Sequence, residues 1–166
     1  MTILPILPWP DPRLSTPCEA VGTDDVTGLA ANMLDTMYAA PGRGLAAPQI
    51  GVLKRLFVMD VAWTEGPRAP MVVIDPQILW RSAVSATGPE GCLSIPGVTT
   101  DIRRATAIRM VWTDQNGKDH DETLTGFAAI CAQHEYDHLD GIVTFDRLAP
   151  DLRTATLAAY LERSPP

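Results

Sequence analysis

The stretch from Gln133 to Gly141, reading Gln-His-Glu-Tyr-Asp-His-Leu-Asp-Gly, constrains this chain more than any other. Within it stands His134-Glu135-x-x-His138. On a helix, residues four apart lie one turn apart on the same face, so both imidazoles can reach one cation while Glu135 stands beside them. A surface helix with two ordinary histidines would show the same letters, so the neighbours must decide. Upstream, Phe127, Ile130 and Cys131 share the helical spacing of His134 and His138, which turns the histidine face toward the core. Buried imidazoles without partners are costly, and a bound metal satisfies both. Gly126 precedes the helix, and Gly141 holds the position where a left-handed cap is expected.

A catalytic metal takes three protein ligands and keeps one position open. Cys92 can supply the third. It is centred in Pro89-Glu90-Gly91-Cys92-Leu93-Ser94-Ile95-Pro96-Gly97, and a thiolate suits Zn²⁺ or Fe²⁺ far better than Mg²⁺ or Ca²⁺. A lone cysteine in an apolar segment is ordinarily just buried; the histidine motif shifts the weight toward ligation. Of the other cysteines, Cys131 reads as core packing on the helix face and Cys18 lies in a proline-rich loop. Three cysteines without an export signal read as reduced thiols.

At 166 residues the expectation is a single domain over 1–166, able to build a core without disulfides. No apolar run approaches membrane-spanning length. The amino terminus is apolar but broken by prolines and lacks a basic leader, so a cytoplasmic setting is expected, or an organelle if a targeting segment has been removed. A net charge of −7 argues against a general nucleic-acid binder, whose phosphate-tracking surface needs an excess of basic residues.

Taken in order, the proline-rich start reads as an extended arm with a turn at Asp11-Pro12-Arg13-Leu14. Val26, Leu29, Met33 and Met37 predict an amphipathic helix from about Asp24 to Tyr38, with Thr23 as N-cap. Glycines then flank Leu45-Ala46-Ala47-Pro48-Gln49-Ile50, where another backbone can approach closely; taken alone, Gln49 reads as a solvent-facing loop residue. Residues 55–61 and 71–74 predict neighbouring strands, with Asp75-Pro76 breaking the pairing and a more irregular strand over 77–84. Residues 105–112 and 120–125 predict a hairpin around Asp114-Gln-Asn-Gly117, on which His120 is solvated rather than a ligand. Ile142 to Phe145 reads as a short strand or extended link. Pro150 opens a last helix through Glu162, stopped by Ser164-Pro165-Pro166.

Gly42-x-Gly44-Leu45-Ala46-Ala47-x-Gln49, Glu90-Gly91-Cys92-Leu93-Ser94 and Gln133-His134-Glu135-x-Asp137-His138 together resemble the signature motifs of the peptide deformylase family, in its order and at its spacing. The resemblance implies an α+β fold, with mixed, mostly antiparallel sheets around a central metal-binding helix. It also implies a metal-dependent amidohydrolase that removes the formyl group from the N-terminal formylmethionine of nascent polypeptides and releases formate. Cys92, His134 and His138 would hold one divalent metal, Fe²⁺ in the cell, with Zn²⁺ an alternative in isolated protein. Glu135 would act as general base and then general acid, with the Gln49 amide and the Leu93 backbone N–H facing the developing oxyanion. Gly44, Glu90 and Gly91 fall on the implied peptide-binding edges, while Phe127, Ile130 and Cys131 would line a methionine pocket. Gln133 and Asp137 read as residues that orient ligands or tie the helix to its neighbours. The substrate makes the ribosomal exit tunnel an expected meeting place.

Two positions depart from the family pattern at the substrate edge: Arg43, where an aliphatic residue is usual, and Thr99, where an arginine is common. Arg43 could partner Glu90, meet a substrate carboxylate, or swing into solvent. These departures sustain an alternative, a deformylase-like protein that binds metal or peptide with weak or altered activity. A zinc peptidase is the other enzymatic alternative; it needs a downstream ligand, for which Glu162 is the faint candidate.

Overall fold

The computed structural model describes residues 2–163. Its elements are α1 (Thr27–Ala39), β1 (Gly44–Ala46), β2 (Leu56–Met59), β3 (Met71–Arg81), β4 (Ser85–Cys92), β5 (Ile95–Ala105), β6 (Ala107–Thr113), β7 (Asp119–Thr125), α2 (Gly126–Leu139) and α3 (Pro150–Arg163). Short 3-10 turns lie at Pro12–Ser15, Ala47–Ile50 and Thr144–Arg147. The fold is α+β. One antiparallel sheet runs in the order β1-β2-β3-β6-β7, and β4 and β5 form a separate two-stranded hairpin.

β2 shows how the sheet is covered. Leu56 and Val58 pack with Met33, Met37 and Leu45, whereas Phe57 and Met59 pack with Ala129 and Ala132. Successive strand side chains point to opposite faces, so an unbroken apolar run marks a strand buried on both. α1 covers one face of the sheet and α2 the other. A third cluster of Leu14, Ile95, Ile102, Phe145 and Tyr160 ties the β4–β5 hairpin to the amino-terminal arm and α3. α2 therefore lies between sheet and hairpin, with its histidine face toward the hairpin. No helix among the described residues is long and apolar enough to cross a membrane.

Several boundaries differ from the sequence expectation, each for a local reason. α1 starts at Thr27 and Thr23 does not cap it: Asp25 Oδ1 accepts the Thr27 N–H at 2.9 Å and holds a turn before the helix. The β2 ladder does end at Ile74, but the strand continues. Asp75 takes φ 48°, its carboxylate accepts the Val21 and Gly22 N–H groups at 2.8 and 2.9 Å, and past this irregularity β3 pairs with β6. The separate strand expected over 77–84 is thus the second half of β3. Of the two readings of Ile142 to Phe145, the extended link holds for Ile142 and Val143 and the strand does not form. Asp146 Oδ2 accepts the Val143 N–H at 2.9 Å, the chain coils into Thr144–Arg147, and Phe145 is buried against the Trp9 and Tyr160 rings. The last helix begins at Pro150 as expected; the expected stop at Ser164-Pro165-Pro166 lies outside the described residues.

Gly141 ends α2 in the left-handed conformation, φ 73°, and a Cβ there would lie 2.9 Å from the Ser15 carbonyl carbon. Gly117 has a similar φ of 76° but open space around it. Left-handed backbone costs a non-glycine residue roughly 1–2 kcal/mol. Gly117→Ala is expected to cost about that much in urea unfolding and Gly141→Ala clearly more, because its methyl also meets backbone; equal losses would remove the steric part of this account.

Candidate metal centre and active site

α2 and the β4–β5 hairpin build the site between them. Cys92 closes β4, and His134 and His138 project from successive turns of α2. One ligand atom from each of the three lies within 4.8 Å of the other two, and Cys92 Sγ stands 3.3 Å from His138 Nε2. Burial pushes the His138 imidazole well below its ordinary value, helped by the charges of His134 and Arg104, so it is neutral, the form that ligates metal. His134 goes the other way: burial opposes its protonation, but hydrogen bonding to Cys92 and Glu90 prevails. A thiolate with two imidazoles is a donor set for Zn²⁺ or Fe²⁺, so the residues fit a metal.

The surroundings fix these ligands. Glu90 accepts from His134 Nδ1 at 2.9 Å and is itself held by Arg104, Nε at 2.8 Å and Nη2 at 3.0 Å. Burial raises the Glu90 carboxyl, but the hydrogen bonds from His134 and Arg104 outweigh it and bring it down to about 2. Arg104 reaches on to Asp137 at 2.6 Å, and Asp137 also pairs with Arg147. Gln133 Nε2 donates to the Ala105 carbonyl at 2.9 Å. Gln133 and Asp137 thus bind the helix to its neighbours, as their positions suggested. Nothing local in the sequence marked Arg104 as the buried centre of this network.

Glu135 is 4% exposed, and its Oε2 has no hydrogen-bond partner among the described residues. Burial pushes its carboxyl up to about 7, against the opposing charge of His134. A Cβ on Gly44 would lie 2.7 Å from the Glu135 carboxyl carbon, so only glycine lets β1 pass this close. Gln49 is buried rather than solvent-facing: Oε1 accepts the Ala46 N–H at 2.8 Å, and Nε2 points at Ser94 Oγ, 3.2 Å, and Cys92 Sγ, 3.6 Å.

A cleft of about 540 Å³ opens over this centre, a usual size for a small-ligand site. Arg43, Gly44, Gln49, Glu90, Gly91, Cys92, Leu93, Thr99, Phe127, Ile130, Cys131, His134 and Glu135 all line it, and His138 lies beneath. Phe127 is 47% exposed, so it forms cleft wall rather than core. Arg43 does not partner Glu90: its guanidinium lies over the Phe127 ring, 5.0 Å from the centroid, and donates to Thr64 Oγ1 at 2.8 Å. Glu162 sits exposed on α3, outside the metal group, and supplies no peptidase ligand. His120 is less solvated than its polar strand suggested. It stacks on Trp112 at 4.8 Å and meets Asp114 and Glu122, apart from the metal group.

Comparison with known proteins places this geometry. The family profile described as polypeptide deformylase matches residues 3–154. The peptide deformylase of Alkalilimnicola ehrlichii is 47% identical over 165 residues, 98% of this chain and 91% of that protein. That of Xylella fastidiosa is 45% identical over 155 residues, covering 90% and 89%. The peptide deformylase of Ehrlichia chaffeensis, solved in complex with actinonin, superposes with a TM-score of 0.92 at 34% identity, over 100% of both chains. By sequence, fold and Cys-His-His metal group together, the chain belongs to the polypeptide deformylase family.

Proposed function

We propose that residues 1–166 form one catalytic domain that hydrolyses the N-formyl amide of formylmethionine on nascent polypeptides, releasing formate. The observation that carries this reading is the convergence of Cys92, His134 and His138 beside the unpartnered Glu135 carboxylate, at the floor of a cleft. In this reading those three residues hold a divalent metal. When bound, the metal supplies Lewis-acid chemistry that polarises a carbonyl and makes water a nucleophile near neutral pH. Availability in the cell, rather than ligand preference, makes Fe²⁺ the proposed native ion.

Glu135 Oε2 is free to take the proton of the attacking water, and a carboxyl held at about 7 can then return it to the departing amine nitrogen. Negative charge gathers meanwhile on the formyl oxygen. The Gln49 amide, its carbonyl end anchored on the Ala46 N–H, would offer Nε2 to that oxygen together with the Leu93 backbone N–H. Glu90 has both carboxylate oxygens engaged, so its side chain serves the site by orienting His134. Phe127, Ile130 and Cys131 would receive the methionine side chain, and the backbones at Gly44 and Gly91 would pair with the peptide as an added strand. Main-chain pairing tolerates many sequences, which suits an enzyme of nascent chains working in the cytoplasm near the ribosomal exit.

Protein prepared anaerobically with Fe²⁺ should release formate from a short formyl-Met peptide, and Glu135→Gln should lose about 10²–10⁴ in kcat with metal retained. Rapid turnover by that variant would refute the role given to Glu135. Gly44→Ala should lower kcat by around a hundredfold at unchanged metal content, because its methyl displaces the Glu135 carboxylate. Glu90→Gln should weaken metal binding about 10–100-fold in a chelator competition, and unchanged affinity would detach Glu90 from the metal site.

A further inference from the structure

Arg43 is the only Lys or Arg lining the cleft among the described residues. Among the described residues no buried acid pairs with it. Glu90 is matched by Arg104 and His134, and Glu135 is buried on the cleft floor. Glu65 pairs with the guanidinium at 3.8 Å from a side chain that is 83% exposed, so this pair is weak and screened by water. Among the described residues the guanidinium makes one hydrogen bond, to Thr64, so N–H donors of its planar fork remain at the rim.

This rim is built rather than loose. Trp63 Nε1 donates to the Gly42 carbonyl at 2.9 Å, and the Asp60 N–H donates to the Arg43 carbonyl at 2.9 Å. Trp63 also packs edge-on against Tyr38, 5.3 Å between centroids. Asp60 in turn accepts the Ala69 N–H at 2.9 Å and the Tyr38 hydroxyl at 2.7 Å. The segment from Asp60 to Ala69 is thereby pinned against Gly42 and Arg43, and Thr64 presents its hydroxyl where it steadies the guanidinium. Below, Phe127 begins the apolar wall that continues through Ile130 and Cys131.

Arg43 lies over Phe127, the half-exposed outer end of that wall, so a methionine side chain received by the wall would leave the guanidinium beside the residue that follows it. We propose that Arg43 is a specificity-determining residue, favouring formylated peptides that carry a carboxylate just beyond the formyl-methionine and disfavouring those with a basic side chain there. The inference rests on the deformylase reading. The carboxylate can come from an Asp or Glu side chain or from the free terminus of a very short peptide, and a guanidinium fork accepts either. Partly exposed ion pairs are weak, so the preference is a few-fold, about fivefold between acidic and basic substrates at low salt, and screening erodes it.

The test compares kcat/KM for C-terminally amidated formyl-Met peptides that differ only in Asp, Asn or Lys after the methionine, alongside formyl-Met-Ala as free acid and as amide. The expected order is Asp, then Asn, then Lys, carried by KM rather than kcat, with the spread collapsing in about 0.5 M salt. Arg43→Lys should keep the order and Arg43→Glu should reverse it, a result that loss of packing alone cannot produce. A preference confined to the free acid upholds carboxylate recognition and assigns it to the terminus. Equal kcat/KM in every arm, with formate released throughout, overturns the inference and leaves deformylation standing. No formate from any peptide overturns the deformylase reading, and this inference with it.

Discussion

The structure turns on one buried cation. Arg104 leaves β5 and joins Glu90 on β4 to Asp137 on α2, with both of its ion pairs shielded from water. Ionic groups in such a place add little net stability compared with a well-packed apolar core, yet losing one partner costs about 3–5 kcal/mol, because a charge is then stranded. Their value here is register. Through Glu90 the network sets the ring of His134, and through Asp137 it fixes the turn of α2 that carries His138. Cys92 and the two histidines lie far apart in sequence, and Arg104 is what holds their two elements in step.

The same economy explains the close approach of β1 to α2. A glycine at position 44 brings strand backbone against the Glu135 carboxylate, and the Gln49 carbonyl is tied back to Ala46 on that same strand. Water is thus excluded from most of the Glu135 side chain, and burial lifts its carboxyl toward neutrality. A carboxylate in open solvent would stay near its ordinary value and make a poor proton donor at neutral pH. Small residues in β1 and the 3-10 turn after it therefore set the burial on which the proton transfer proposed for Glu135 would depend, as well as the packing.

The parts of this arrangement that were legible in the sequence are those with short-range signatures. The spacing of His134 and His138, the cap at Gly141, the apolar β2 and the Asn-Gly turn each declare themselves within a few residues. What was hidden depends on distant partners. The β4–β5 hairpin reads poorly because Gly88, Pro89, Gly91, Pro96 and Gly97 interrupt its alternation, and a two-stranded ribbon buries too little to restore it. Gln49 looked like a loop residue because nothing nearby shows that Ser94 and Cys92 will close over it. Arg104 gave no local signal at all, since its partners lie 14 and 33 residues away. Asp75 misled in a third way: the Asp-Pro pair announced a break, and the chain used it to pass β3 from one neighbour to the next.

The ion-pair network and the metal group span the same junction, β4–β5 on one side and α2 on the other, so their energetics are coupled. A metal bound to this folded arrangement and not to the unfolded chain stabilises it by mass action, roughly 4 kcal/mol at a thousandfold excess over its dissociation constant. Linkage runs equally in reverse. Whatever holds the hairpin against α2, whether the Arg104 bridges or the packing of Ile95, Ile102 and Phe145 beneath them, raises the effective concentration of Cys92 at the two histidines. Affinity for metal is thus distributed through contacts remote from the ligand atoms: the Arg104 bridges and the packing of the hairpin would govern how readily Cys92, His134 and His138 close on an ion.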